Sequence, residues 1–207
     1  MNNKKLLIDT MMFEVPHEVI TEAMGRTDNR FIVKGIVQRA DALNQNGRIY
    51  PYDILTKEAK NYTDSYIKES RAMGELDHPD SSVINLNNVS HNILDLYWEN
   101  KNLMGVIEVL GTPSGNILKE LFKSGIRLGI SSRGLGSIKN NQNEDNMSAD
   151  YVQEDFELIC WDFVSNPSTK GAFMKPLKEG VDSNLVKEDT KWNKVSNIIT
   201  ELLPELK

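Results

Sequence analysis

A single cysteine, Cys160, excludes any disulfide within the chain and suits a reducing cytoplasm. No apolar run approaches the roughly 18 residues of a membrane span. Two lysines and Leu6-Leu7-Ile8 open the chain, but Asp9 cuts that run short, so no signal peptide and no membrane association are expected. Basic residues are outnumbered, 24 Lys and Arg against 30 Asp and Glu, for a net charge of −6. Phosphate binding wants a basic face, so nucleic acid is not an expected partner. There is no internal repeat. Histidine is scarce too: only His17, His78 and His91 can titrate near neutrality. What remains is ordinary for a globular protein, 39% hydrophobic and 26% charged, and 207 residues suffice for one domain with short appendages.

The most informative stretch is Gly125 to Ser137, Gly-Ile-Arg-Leu-Gly-Ile-Ser-Ser-Arg-Gly-Leu-Gly-Ser. It admits two readings. One is a turn or bulge at a strand end. The other is a nucleophilic serine among residues whose peptide N–H groups stabilise an oxyanion. A serine nucleophile needs a base, and His78 stands in Gly74-Glu75-Leu76-Asp77-His78-Pro79. Pro79 biases the residue before it towards an extended backbone, which can hold the imidazole rigidly; a loop histidine without a task fits the same motif. His17 lies in an N-terminal segment with few structural signals. Cys160, in Leu158-Ile159-Cys160-Trp161, reads as a small buried apolar residue rather than a rival nucleophile.

The hydrophobic pattern predicts a strand over 31–38 and a helix over 52–72 that starts after Pro51. It predicts a hairpin of 89–98 with 103–110, a helix over 113–123 and a strand over 126–138. An exposed loop is expected over 140–150 and a strand over 151–164. Antiparallel strands with two inserted helices point to an α+β fold built on a barrel or curled sheet.

Four blocks together resemble the prohead core proteases of T-even-type tailed phages. They are Asn46-Gly-Arg-Ile-Tyr-Pro51, Gly74-Glu-Leu-Asp-His-Pro79, Gly129-Ile-Ser-Ser-Arg-Gly-Leu-Gly-Ser137 and Trp161-Asp-Phe-Val-Ser-Asn-Pro-Ser168. Their order and spacing agree over residues 30 to 175. The resemblance implies a small antiparallel β-barrel flanked by helices, similar to herpesvirus assemblin. It also implies a serine endopeptidase packaged in the immature capsid within the host cytoplasm, which cuts scaffold, core and capsid proteins and finally itself. By motif position Ser131 is the nucleophile, with Ser132 as its neighbour, and His78 is the base. Asp162 is the third member, because a carboxylate in an apolar strand needs a partner; the alternatives are that it braces the Asn166-Pro167 turn or that His91 takes the role. Backbone N–H groups of Ser132, Arg133 or Gly134 are candidates for the oxyanion hole, with the Arg133 guanidinium as a brace. No cofactor is expected. A metal site of Asp77, His78 and His91 has scattered ligands and weak spacing. An inactive internal scaffold component is the alternative from another class.

Family members of this type prefer an aliphatic residue, any residue, then Glu, with a small residue after the cut. Ile20-Thr21-Glu22 before Ala23 and Leu177-Lys178-Glu179 before Gly180 match, in segments expected to have few tertiary contacts. Ile67-Lys68-Glu69 before Ser70 matches more loosely, inside the helix predicted over 52–72. Self-processing at the first two bonds divides the chain into an N-terminal flank of 1–22, a protease domain of 23–179 and a tail of 180–207. In the tail, Trp192, Val195, Ile199, Leu202 and Leu206 form an a/d seam. That helix is expected either to pack on its own domain or to dock the precursor, with self-association, in the prohead core.

Overall fold

The computed structural model describes residues 4–28, 30–77, 79, 81–142 and 148–165. Among these the chain runs β1 (Lys5–Phe13), α1 (His17–Gly25), β2 (Phe31–Arg39), β3 (Arg48–Ile49), α2 (Tyr52–Tyr62), β4 (Met73–Glu75), β5 (Val89–Glu99) and β6 (Asn102–Val109). It continues through α3 (Pro113–Lys123), β7 (Leu128–Gly136), β8 (Ile138–Gln142), β9 (Ser148–Val152) and β10 (Glu157–Val164). The last residues described belong to a unit spanning Met1–Ala172.

Local chemistry explains most of these boundaries. Helix α3 starts where the Thr112 hydroxyl accepts from Gly115 N–H at 3.0 Å, with Pro113 at the first helical position. The hairpin of β5 and β6 turns at Asn100, whose φ of 55° asparagine tolerates better than most residues. Helix α2 is shorter than its apolar spacing predicts. After Tyr62 the backbone widens into a π-helical turn, Thr63–Ile67, and the left-handed Ser70 then ends the segment. The polar stretch expected to be one loop contributes β8 and β9 to a hairpin. The single strand expected over 151–164 is split, with Gln153–Phe156 turning between β9 and β10.

The strands form three sheets, ordered β1-β7-β10, β2-β6-β5-β4 and β3-β9-β8. All pairs are antiparallel except β3 with β9. The first two sheets are joined by a parallel bridge between Leu76 and Phe163. At their other edges β1 packs on β2, with the Phe13 ring against Gly35, but no ladder joins the two strands among the described residues. The fold is therefore mixed α+β, and among the described residues the small antiparallel β-barrel that was expected does not close. Inside the curl, Phe163 meets Phe13, Phe122 and the His91 ring edge-on, at centroid separations of 5.0, 5.4 and 4.8 Å.

Candidate active site

Strand β7 is bordered on both edges, and its register fixes the site. Ser131 stands between Thr10 of β1 and Asp162 of β10, and Ser132 between Asp9 and Trp161. Directly paired residues share a face and successive residues alternate. Thr10, Ser131, Arg133, Cys160 and Asp162 thus lie on one face, and Asp9, Ser132, Trp161 and Phe163 on the other. Both serines are buried, at 1% and 2% exposure. The Thr10 hydroxyl donates to Ser131 Oγ at 3.1 Å.

Arg133 is fully buried and organises the Ser131 face. Its Nη2 donates to Glu75 Oε1 at 2.9 Å and to Asp162 Oδ1 at 3.2 Å, and Nε lies 3.0 Å from Asp162 Oδ2. Nη1 donates to the Ser81 carbonyl at 2.8 Å. Asp162 Oδ1 also accepts the Glu75 N–H at 2.9 Å. Burial pushes the Asp162 carboxyl up, while the Glu75 amide and Arg133 favour its charge. Two buried carboxylates thus surround one buried guanidinium. Cys160 belongs to the same cluster: its Sγ accepts from Arg133 Nε at 3.3 Å, and burial drives its thiol far above the ordinary range. It is buried, as expected of a small core residue, and its sulfur faces the Arg133 guanidinium.

The backbone N–H groups of Ser132, Arg133 and Gly134 sit in a strand with a ladder on each side. Gly134 has a packing reason: an added Cβ would come within 2.4 Å of the Phe156 ring and 2.7 Å of the Glu157 carbonyl oxygen.

His91 is wholly buried on β5, with burial lowering its pKa to about 4. Its Nε2 lies 3.0 Å from the Trp161 carbonyl oxygen and its Nδ1 2.9 Å from Ser90 Oγ. A carbonyl can only accept, so Nε2 carries the proton and the neutral ring accepts the Ser90 hydroxyl at Nδ1. Both nitrogens are thereby used within the core. His78 lies outside the described residues. Before it, the Asp77 N–H donates to the Phe163 carbonyl at 2.7 Å; three residues after it, the Ser81 carbonyl accepts from Arg133.

On the opposite face, Asp9 gathers the first sequence block. Its Oδ1 accepts from Asn46 Nδ2 at 2.7 Å and from Arg48 Nη1 at 3.0 Å, and its Oδ2 accepts from the Tyr50 hydroxyl. Asn46 also reaches the Ile8 carbonyl at 2.8 Å. Ser132 Oγ donates to the Asp9 carbonyl at 3.3 Å. The block is a clasp that locks β1 against β7.

Residues 8–184 match the family described as prohead core protein serine protease. The chain belongs to that family. It is 30% identical over 203 residues, 92% of each chain, to the prohead core protein protease of Enterobacteria phage T4. It is also similar to the solved structure of the bacteriophage T4 capsid assembly protease, with a TM-score of 0.67 at 27% identity, covering 80% of this chain and 100% of that one. Membership makes the chain a peptidase of the phage prohead.

The structure brings Ser131, Arg133 and Asp162 together and leaves His91 in the core. Glu22 and Ala23 lie in α1, where Ala23 is buried, rather than at a loose segment end. Glu179, Gly180 and the tail stripe lie outside the described residues. Sequence reasoning passed over Thr10, Asp9, Asn46, Arg48, Tyr50 and Glu75. A signal existed for most of them. Asn46, Arg48 and Tyr50 alternate like residues of one strand face, and Glu75 is a charge inside the histidine motif.

Proposed function

We propose that this chain is a serine endopeptidase that matures the phage prohead from within, with Ser131 as nucleophile and His78 as base. The observation that carries the assignment is the tethering of the chain around position 78. Asp77 is tied to the backbone of β10, and Ser81 to Arg133, whose side chain shares the face of Ser131 and not that of Ser132. In the proposed reaction Ser131 Oγ attacks the scissile carbonyl as its proton passes to His78. The amine leaves with that proton, and water then releases the acyl group by the same relay. Asp162, opposite Ser131, is favoured over His91 as the third group, because both ring nitrogens of His91 are engaged elsewhere.

The substrates are phage scaffold, core and capsid proteins, cut after Glu in aliphatic-x-Glu sequences, inside the prohead in the host cytoplasm. The name of the T4 relative, a capsid assembly protease, supports the capsid proteins among these substrates. Self-processing at Glu22–Ala23 and Glu179–Gly180 belongs to the same proposal, as do self-association in the prohead core and docking of the precursor into the scaffold core through residues 180–207. One meaning changes. Strand β1 lies upstream of Glu22 yet is built into the sheet, so a cut there nicks the protease domain instead of trimming a flank.

The test compares the wild type with Ser131→Ala, His78→Ala and Ser132→Ala on a peptide carrying Leu-Lys-Glu-Gly. The first two should lose roughly four to six orders of magnitude in rate, because the members act as a unit. Ser132→Ala should lose far less. A dead Ser132→Ala beside an active Ser131→Ala would reverse the assignment. Intact masses of wild type and Ser131→Ala would show whether trimming depends on the chain's own serine.

A further inference from the structure

We infer that Thr10 is a positioning residue for the Ser131 hydroxyl, so that the N-terminal strand forms part of the active site. The inference rests on the reading of Ser131 as nucleophile. A serine hydroxyl has one proton and two lone pairs. The Thr10 hydroxyl donates to Ser131 Oγ at 3.1 Å and so occupies one lone pair. The Ser131 proton is then free to point to a base, and the oxygen is held in one rotamer. As Oγ loses its proton during attack, the same hydrogen bond gains charge assistance and strengthens. An interaction that grows on the way to the transition state raises kcat rather than lowering KM.

Thr10 is built for this. Its β-branched side chain has few χ1 choices. Its strand pairs with β7 from Lys5 opposite Gly136 to Phe13 opposite Leu128. The preceding residue, Asp9, is fixed by Asn46, Arg48 and Tyr50. Leu7 and Phe13, each 2% exposed, anchor the two ends of the strand in the core. The clasp on one face of β1 thus sets the position of a hydroxyl on the other.

The experiment uses the full-length chain with two substitutions, Thr10→Val and Thr10→Ser. Two readouts are taken: turnover of the Leu-Lys-Glu-Gly peptide and the rate of labelling by a fluorophosphonate. Thr10→Val keeps the shape and loses the donor. It should lower kcat and the labelling rate about tenfold, the scale of one lost hydrogen bond, with KM unchanged. Thr10→Ser should stay within about twofold of wild type, because the donor is restored. Thr10→Val at wild-type rates, or Thr10→Ser as impaired as Thr10→Val, overturns the inference. A fully active Ser131→Ala, or a wild type that neither cuts nor labels, removes instead the reading of Ser131 on which it stands.

Discussion

The His91 ring passes over Gly74 to reach the Trp161 carbonyl oxygen at 3.0 Å. A Cβ at position 74 would lie 2.1 Å from that oxygen and 2.4 Å from His91 Nε2. The Trp161 backbone, held in the β10 ladder with β7, cannot step aside as a flexible side chain can. Gly74→Ala should therefore cost about 3 kcal/mol, at the upper end for an overpacked core. Urea unfolding monitored by tryptophan fluorescence would measure it. A variant as stable as wild type would mean that the ring has another resting place.

The same histidine should make stability depend on pH. Its folded pKa, about 4, lies below the ordinary imidazole value of 6.5, so the unfolded chain binds the extra proton between those values. Stability then rises with pH across this window and is lost as pH falls from about 6.5 to about 4. From pH 7 to pH 5 the contribution of His91 should be about 2 kcal/mol. Replacing His91 by Gln should flatten the profile in this window, and an unchanged slope would count against the buried neutral ring.

Arg133→Met should be among the most harmful substitutions. It would leave the Glu75 and Asp162 carboxylates buried without their shared cation. Breaking a buried ion pair from one side costs about 3–5 kcal/mol. Adding Glu75→Gln and Asp162→Asn to Arg133→Met should recover part of the loss. Equal stability of the single and triple variants would show that the charges do not compensate one another.

Cleavage at Glu22–Ala23 should be slow in the folded chain and should not release β1. The bond lies in α1 and must open locally before a protease can bind it. A peptide of residues 17–26 should be cut at least ~10-fold faster than the same bond in the protein, since the peptide has no tertiary structure to open. After the cut, native mass spectrometry should find the fragment of residues 1–22 still attached, and only denaturant should free it. A nicked enzyme that works without its fragment would contradict the built-in strand.

The sequence made some of this legible and hid the rest for physical reasons. Strand β2 and the hairpin of β5 and β6 were readable because their apolar residues recur at strand spacing or bracket a turn. Helix α3 announced itself through Thr112, Pro113 and helical periodicity. Strand β1 was invisible because Asp9 falls in phase with Leu7 and Phe13, where a core residue is expected. Its carboxylate is buried only through partners some forty residues away, and no local window contains them. The motifs singled out Ser131 and Asp162, which the sheet register pairs across β7 and β10. They could not show that Arg133 and Glu75 engage Asp162, because a buried ion network is a property of three chain segments at once. The division of 151–164 into β9 and β10 was missed because Gln153–Phe156 carries neither Gly nor Pro.

The two neighbours of β7 come from opposite ends of the described chain, residues 5–13 and 157–164. The contact between Thr10 and Ser131 alone closes a loop of 121 residues. Such pairings form late, because the entropy of a long closure must be overcome before any ladder bond offsets it. On the ribosome, β7 emerges before β10 exists to flank it. A nascent chain that already carries the serine motif therefore has no assembled site. The serine of β7 is flanked on both edges only once synthesis has passed β10, the last strand among the described residues.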